Sequence, residues 1–231
     1  MSAAPTLAFL FDVDNTLLDY DQVKADLYAW LGATLGADAP AVFRRNYEGL
    51  REQLGYADFL ASFQRCWQGS GLDPRWLGAA RFLLDYPFHE RLYPGALAAL
   101  EHVGRLGQTA IVSDGEAVLQ PRKIRLSGIH DAVAGRVLVY QHKDRERDDI
   151  RQRIAADLHV MVDDKLSVLT AMKRAWGASL VTVFVRQGHY AREQLDDGLP
   201  AADFSIDQIH QLTDIPPSDF LQAAARRSKG D

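Results

Sequence analysis

Five short apolar runs punctuate the chain: Leu7-Ala8-Phe9-Leu10-Phe11, Thr109-Ala110-Ile111-Val112-Ser113, Val137-Leu138-Val139-Tyr140, His159-Val160-Met161-Val162 and Leu180-Val181-Thr182-Val183-Phe184. Most are rich in β-branched side chains, and each gives way to polar residues. Unbroken apolar runs of this length fit strands buried on both faces. Helical periodicity fills the gaps between the last four. Pro94-Gly95 opens a helix running toward Leu106, with Pro tolerated in the first turn. A second helix spans residues 117–127 and stops at Gly128. Ile150, Ile154 and Leu158 recur at i, i+4, i+8 and predict one apolar stripe on a third. Leu166, Leu169, Met172 and Trp176 form a fourth stripe, closed by Gly177. This alternation predicts an α/β protein: a doubly wound parallel sheet with helices on both faces.

Residues 21–88 break the alternation, because they contain no convincing strand. The pattern there predicts helices over residues 21–35, 40–54, 56–68 and 73–84, with Asp73-Pro74 as N-cap and first helical position. An all-helical block inserted after the first strand reads as a separate small domain. The domain reading is therefore a core of residues 1–20 and 89–215, a helical insert of residues 21–88, and a tail of residues 216–231. That tail opens on Pro216-Pro217, ends Arg226-Arg227-Ser228-Lys229-Gly230-Asp231, and is expected to fray.

Chemistry gathers where the predicted strands end. Asp12-Val13-Asp14 follows the first strand, Ser113-Asp114-Gly115 the second, Lys143 lies three residues past Tyr140, and Asp163-Asp164 follows the fourth. In a parallel sheet these ends point the same way, toward the edge where ligands bind. Crowded carboxylates repel, and a hard cation or a shared proton relieves them. Carboxylates, a hydroxyl and a lysine in one place suit Mg²⁺-dependent phosphoryl transfer. Asp12 is placed to attack phosphorus, and Asp14 to protonate the leaving oxygen and then activate water. Ser113 and nearby backbone N–H groups are placed to hold a phosphate oxygen, Lys143 to offset charge, and Asp164 with Asp163 to complete an oxygen-ligated metal site. Each position also has a plainer reading. Ser113 fits a turn with Asp114-Gly115. Lys143 opens a charged stretch that fits a solvated helix start. Asp163-Asp164 fits the cap of the next helix.

Composition removes whole classes. With 231 residues the chain is large for one domain and small for two. A net charge of −5 gives no electrostatic case for nucleic acid. One cysteine, Cys66, excludes an internal disulfide and fits a reducing compartment. No apolar stretch approaches the roughly 20 residues needed to cross a bilayer. No charged, cleavable leader precedes the first apolar run, so a cytoplasmic location is the default.

The motifs resemble those of the haloacid dehalogenase superfamily of hydrolases. Phe11-Asp12-Val13-Asp14-Asn15-Thr16-Leu17 matches its first motif, Asp-x-Asp-x-Thr. Ile111-Val112-Ser113-Asp114-Gly115 matches the second, Lys143 is similar to the third-motif lysine, and Val162-Asp163-Asp164-Lys165 looks like the fourth. Tyr93-Pro94-Gly95 resembles the re-entry into the core. The resemblance implies a Rossmann-like core with a helical cap between the first two motifs, which residues 21–88 fit. It implies Asp12 as nucleophile, Asp14 as acid/base, and Mg²⁺ held by Asp12, the Asp14 carbonyl and Asp164. Members that cleave carbon–halogen bonds lack the second acid and need no metal, so Asp14 favours a phosphatase acting on a small phosphorylated metabolite. A phosphomutase and a catalytically idle binding protein on this fold are the alternatives.

Two departures stand out. Pro does not follow Lys143, and Lys143 lies only 21 positions before Asp164, so the intervening segment should be trimmed. Lys123 is the reserve lysine, although a surface position is expected for it, and Lys165 is expected to be exposed. In the insert, Tyr28, Trp30, Phe43, Tyr47, Tyr56, Phe59, Phe63, Trp67 and Trp76 are expected mainly to pack its own core. Arg44 and Arg45 add charge there, but no substrate-binding cap residue is assigned, and the oligomeric state is not legible.

Overall fold

Residues 5–193 and 198–227 are described by the structure, a computed structural model. Six parallel strands form one sheet: β1 (Leu7–Phe11), β2 (Gln108–Asp114), β3 (Val137–Tyr140), β4 (Leu158–Asp163), β5 (Leu180–Val185) and β6 (Phe204–Ile206). Their spatial order is β3-β2-β1-β4-β5-β6. The chain winds outward from β1 in one direction, then returns to lay β4 on the other side. The crevice at that reversal is where open α/β sheets bind ligands.

The pleat sends alternate side chains to two separate cores. Phe9, Phe11, Val160, Val162, Val181 and Val183 face one layer, with α5 (Ala96–Gly104) and α6 (Leu119–Leu126) against it. Ala8, Leu10, Ala110, Val112 and Met161 face the other, which is covered by α8 (Arg147–Arg153) and α9 (Leu166–Trp176). The short α7 (Ile129–Ala132) adds Ile129 to the first layer and α10 (Gly188–Glu193) adds Ala191 to the second, so helices pack on both faces, as the apolar runs predict.

Three elements differ from the sequence reading. Leu158 belongs to β4 rather than to a helical stripe, because α8 ends at Arg153. Asp157 fixes the strand start instead, its carboxylate accepting from the Thr6 backbone N–H and hydroxyl, both at 2.8 Å. The sixth strand, Phe204-Ser205-Ile206, pairs with β5 and is too short to show a pattern. The expected tail instead forms α11 (Pro217–Arg227), which carries Phe220 into the core against Phe9 and Phe204, ring centroids 5.5 Å apart in each case. Residues 228–231 lie outside the described residues.

Four helices follow β1: α1 (Tyr20–Leu35), α2 (Ala39–Leu54), α3 (Phe59–Gly69) and α4 (Arg75–Leu84). Each packs against the next, and α1 closes on α4. The third starts later than predicted, at Phe59, because the Asp58 carboxylate accepts from the Ala61 N–H at 2.8 Å and caps it there. Phe43 sits at the centre, its ring 4.8 Å from Phe63 and 5.9 Å from Phe59, and Trp30 stacks on Phe82 at 5.4 Å. Most of the aromatics are thus internal packing, as expected. Among the described residues no helix is long and apolar enough to cross a membrane.

Candidate active site

Strand register assembles the centre. Phe11 lies opposite Val162, so the next residues, Asp12 and Asp163, leave neighbouring strands side by side. The Asp12 N–H donates to the Val162 carbonyl at 3.0 Å. The Thr16 hydroxyl oxygen accepts from the Asp164 N–H at 3.0 Å, tying the first loop to the fourth. Asp12, Asp163 and Asp164 each offer one carboxylate oxygen within 4.8 Å of the others, and all three side chains are buried.

Lys143 enters this cluster from beyond β3. Fully buried, its Nζ lies 2.5 Å from Asp12, 2.7 Å from Asp163 and 3.3 Å from the Val112 carbonyl. The solvated helix start considered for this charged stretch forms only from Arg147, where α8 begins. Lys143 itself lies on a short 3₁₀ turn over Lys143–Arg145, anchored where the Asp114 carboxylate accepts from the Lys143 N–H at 2.7 Å. The trimmed spacing is absorbed by α8, only 7 residues long. Ser113, also buried, donates its hydroxyl to Asp12 at 3.3 Å and accepts from Gln120 Nε2 at 2.9 Å. Gln120 was invisible in the sequence, where it is one polar residue on a helix.

Burial opposes charge on every group here, and the neighbours decide the outcome. Burial works against an ionised Asp12, but the ammonium groups of Lys143 and Lys165 outweigh it and hold the carboxyl below its usual range. Burial likewise opposes charge on Lys143, yet Asp12 and Asp163 keep it firmly protonated. Asp163 is pushed up to about 6 by burial, with Lys143 pulling the other way. Asp164 is pushed well above the carboxylate range by burial and then by the charges of Asp163 and Asp12. Both of its oxygens are buried without a hydrogen-bond partner among the described residues. Buried acceptors left unsatisfied are costly. A carboxylate in that state beside two others is the donor set a hard divalent cation takes. The residues present therefore fit a metal.

Asp14 stands apart from the three clustered acids, so its side chain is not among the converging metal donors. Its carboxylate is held by Lys123, whose Nζ lies 2.5 and 2.7 Å from the two oxygens and 3.7 Å from the Tyr20 ring centroid. Lys123 is buried, contrary to the surface position expected of it. Burial lowers its pKa, and Asp14 opposes that shift. Lys165 is likewise half-buried rather than exposed, with its Nζ 4.9 Å from the Tyr190 ring centroid. Between Asp14 and α1 the backbone turns through Asn15 at φ 61°, a conformation Asn tolerates. The Asn15 side-chain oxygen Oδ1 accepts from the N–H groups of Tyr20 and Asp21 at 3.1 and 3.2 Å, fixing the start of α1 beside the site. Gly188 packs so close that a Cβ there would fall 2.4 Å from the Asn15 Cβ.

A cavity of about 160 Å³ opens over Asp14 and Asp114. Its core side includes Lys165 and its helical side Tyr20, Tyr47 and Arg51. Arg44 and Arg45, the arginines singled out from the sequence, do not line it.

The Lys123–Asp14 pair makes a thermodynamic prediction. Asp14→Asn strands a buried lysine, at an expected cost of about 3 kcal/mol. Adding Lys123→Met should restore most of that loss, because it removes the unpaired buried ammonium that Asp14→Asn creates. Urea melts of both single variants and the double variant read the coupling; simply additive losses would show that the two residues do not act as a pair.

An all-parallel doubly wound sheet carrying an acid cluster, a buried lysine and a hydroxyl at its carboxyl edge is the active-site arrangement of a Rossmann-like α/β enzyme. The sequence pattern of the haloacid dehalogenase-like hydrolases matches residues 6–175, and the chain belongs to that family. A protein from Burkholderia xenovorans described as a haloacid dehalogenase-like hydrolase is 48% identical, covers 92% of this chain and 100% of its own, and superposes with a TM-score of 0.87. The HAD-hydrolase YfnB from Bacillus subtilis, solved bound to magnesium, has 18% identity, coverage of 90% and 97%, and a TM-score of 0.63. An L-2-haloacid dehalogenase from Xanthobacter autotrophicus, with chloropropionic acid covalently bound, has 16% identity, coverage of 90% and 96%, and a TM-score of 0.59. The last two likenesses are of fold alone. No curated protein matches the chain.

Proposed function

We propose that the protein is a Mg²⁺-dependent phosphatase of small phosphomonoesters. The observation that carries this reading is the buried Asp164, both oxygens unpartnered, beside Asp12 and Asp163. Displacement of halide by a carboxylate needs no such donor set. Asp12, Asp163 and Asp164 are the side chains that would hold the cation. A bound Mg²⁺ would supply the positive charge that offsets repulsion between these acids and a phosphate dianion.

The chain's own groups then divide the work. Asp12, ionised at neutral pH, forms an O–P bond as the leaving oxygen's P–O bond breaks, giving an aspartyl phosphate. The proton carried by the Asp14–Lys123 pair passes from the Asp14 carboxyl to the leaving oxygen. Asp14 then receives a proton from the water whose oxygen bonds phosphorus and expels the Asp12 carboxylate, which restores the pair. Lys143 and Ser113, both already on Asp12, fix its orientation and face the phosphate oxygens. Helices α1–α4 act as the cap that covers the reacting atoms and limits water.

The test is release of inorganic phosphate from p-nitrophenyl phosphate with Mg²⁺ and with EDTA, and of halide from chloropropionate. Metal-dependent phosphate release supports the reading. Halide release without phosphate release replaces it with dehalogenation.

A further inference from the structure

The two sides of the cavity over Asp14 carry different chemistry. Among the described residues its only lining carboxylates are Asp14, held by Lys123 at both oxygens, and Asp114, one oxygen of which accepts from the Lys143 N–H. The helical side brings Lys24, Arg51 and the phenols of Tyr20 and Tyr47, and the core rim adds His142 and Tyr190. Burial raises the pKa of both Tyr20 and Tyr47, so these phenols remain donors at neutral pH. Lys24 already pairs with Asp21 at 2.9 Å. Arg51 does not: its guanidinium donates to the Tyr190 hydroxyl at 3.2 Å and makes no ion pair among the described residues. Arg51 lies in the last turn of α2, which ends at Gly55 with φ 79°. A Cβ on Gly55 would lie 3.2 Å from the His142 ring. That close approach seats the end of α2 over the rim of the core.

Resting on the phosphatase reading, we infer that the substrate's leaving group carries a second anion, a carboxylate or a second phosphate, received by Arg51 with Tyr47 and Tyr190. A guanidinium matches either group with two parallel hydrogen bonds. Size narrows the class. At about 160 Å³ the cavity falls below the roughly 300 Å³ at which pockets begin to enclose drug-sized ligands. A compact phosphorylated acid or small bisphosphate matches that volume better than a nucleotide or flavin phosphate.

Small probes differing in one group test this. Phosphoglycolate supplies a carboxylate, propanediol bisphosphate a second phosphate, ethyl phosphate neither, and phosphoethanolamine a cation. With Mg²⁺, kcat/KM for one of the two anionic probes should exceed that for ethyl phosphate at least about 10-fold, with phosphoethanolamine poorest. The better anionic probe identifies the anion. Arg51→Gln should shrink that ratio about 10-fold, chiefly through KM, and Arg51→Lys should recover part of it. Calorimetric binding to Asp12→Asn protein reads the same preference without turnover, and should lose it in Asp12→Asn/Arg51→Gln. Equal kcat/KM for charged and neutral probes, or an unchanged preference in Arg51→Gln, overturns the subsite while leaving the phosphatase intact. If no probe nor p-nitrophenyl phosphate releases phosphate, the phosphatase reading fails. The subsite then stands or falls on the calorimetric preference.

Discussion

Asp12→Asn is expected to reduce phosphate release from p-nitrophenyl phosphate by at least about 10³-fold without unfolding the protein. The amide keeps the shape of the carboxylate but has no anionic oxygen to attack phosphorus. The surroundings predict tolerance of the change. Lys143 keeps a carboxylate 2.7 Å away in Asp163, so it is not left unpaired. Removing one of three crowded acids also lessens repulsion in the metal-free protein. The lost attraction to Lys143 and Lys165 offsets that relief, so the thermal midpoint should shift little while turnover disappears. Retained turnover removes Asp12 as nucleophile, and a collapse in stability would mean that its role is mainly structural.

Asp164→Asn should act in opposite directions on stability and on function. Without metal, the natural carboxylate carries an uncompensated burial cost that a neutral amide largely avoids, and the amide can also donate to the adjacent acids. Satisfying a buried polar group is worth about 1–3 kcal/mol, which corresponds to a midpoint rise of roughly 2–12 °C for a chain of this size. Mg²⁺ should raise the midpoint of the natural protein by mass action and leave that of the variant almost unmoved. Activity should fall at least about 10²-fold. Thermal melts with Mg²⁺ and with EDTA decide the matter. A natural protein indifferent to Mg²⁺, or a variant that still responds, would show that the acid cluster does not hold the ion.

How much of this was legible depended on whether a residue's surroundings are local. β1 was readable because Leu7–Phe11 is buried on both faces and shows it as an unbroken apolar run. Asp12, Ser113, Lys143, Asp163 and Asp164 were readable because each follows such a run, and parallel strands bring their ends together. β6 was not: three residues, one exposed, give no period. The helical spacing of Ile150, Ile154 and Leu158 was a coincidence, broken by the anchor of Asp157 on Thr6. Lys123 and Gln120 were unreadable for a different reason. A lysine and a glutamine on a helix normally face water, and only Asp14, 109 positions away, and Ser113 explain their burial. Arg51 escaped notice likewise, because nothing in its neighbours along the chain separates it from Arg44 or Arg45.

The packing of Phe220 against Phe9 joins the last described helix to the first strand. Translation delivers those two residues 211 positions apart. The β1 segment must therefore wait, with one aromatic flank uncovered, until Phe220 has emerged from the ribosome. Chaperone dependence during synthesis, and sensitivity to premature termination before Pro217, should follow from that delay alone.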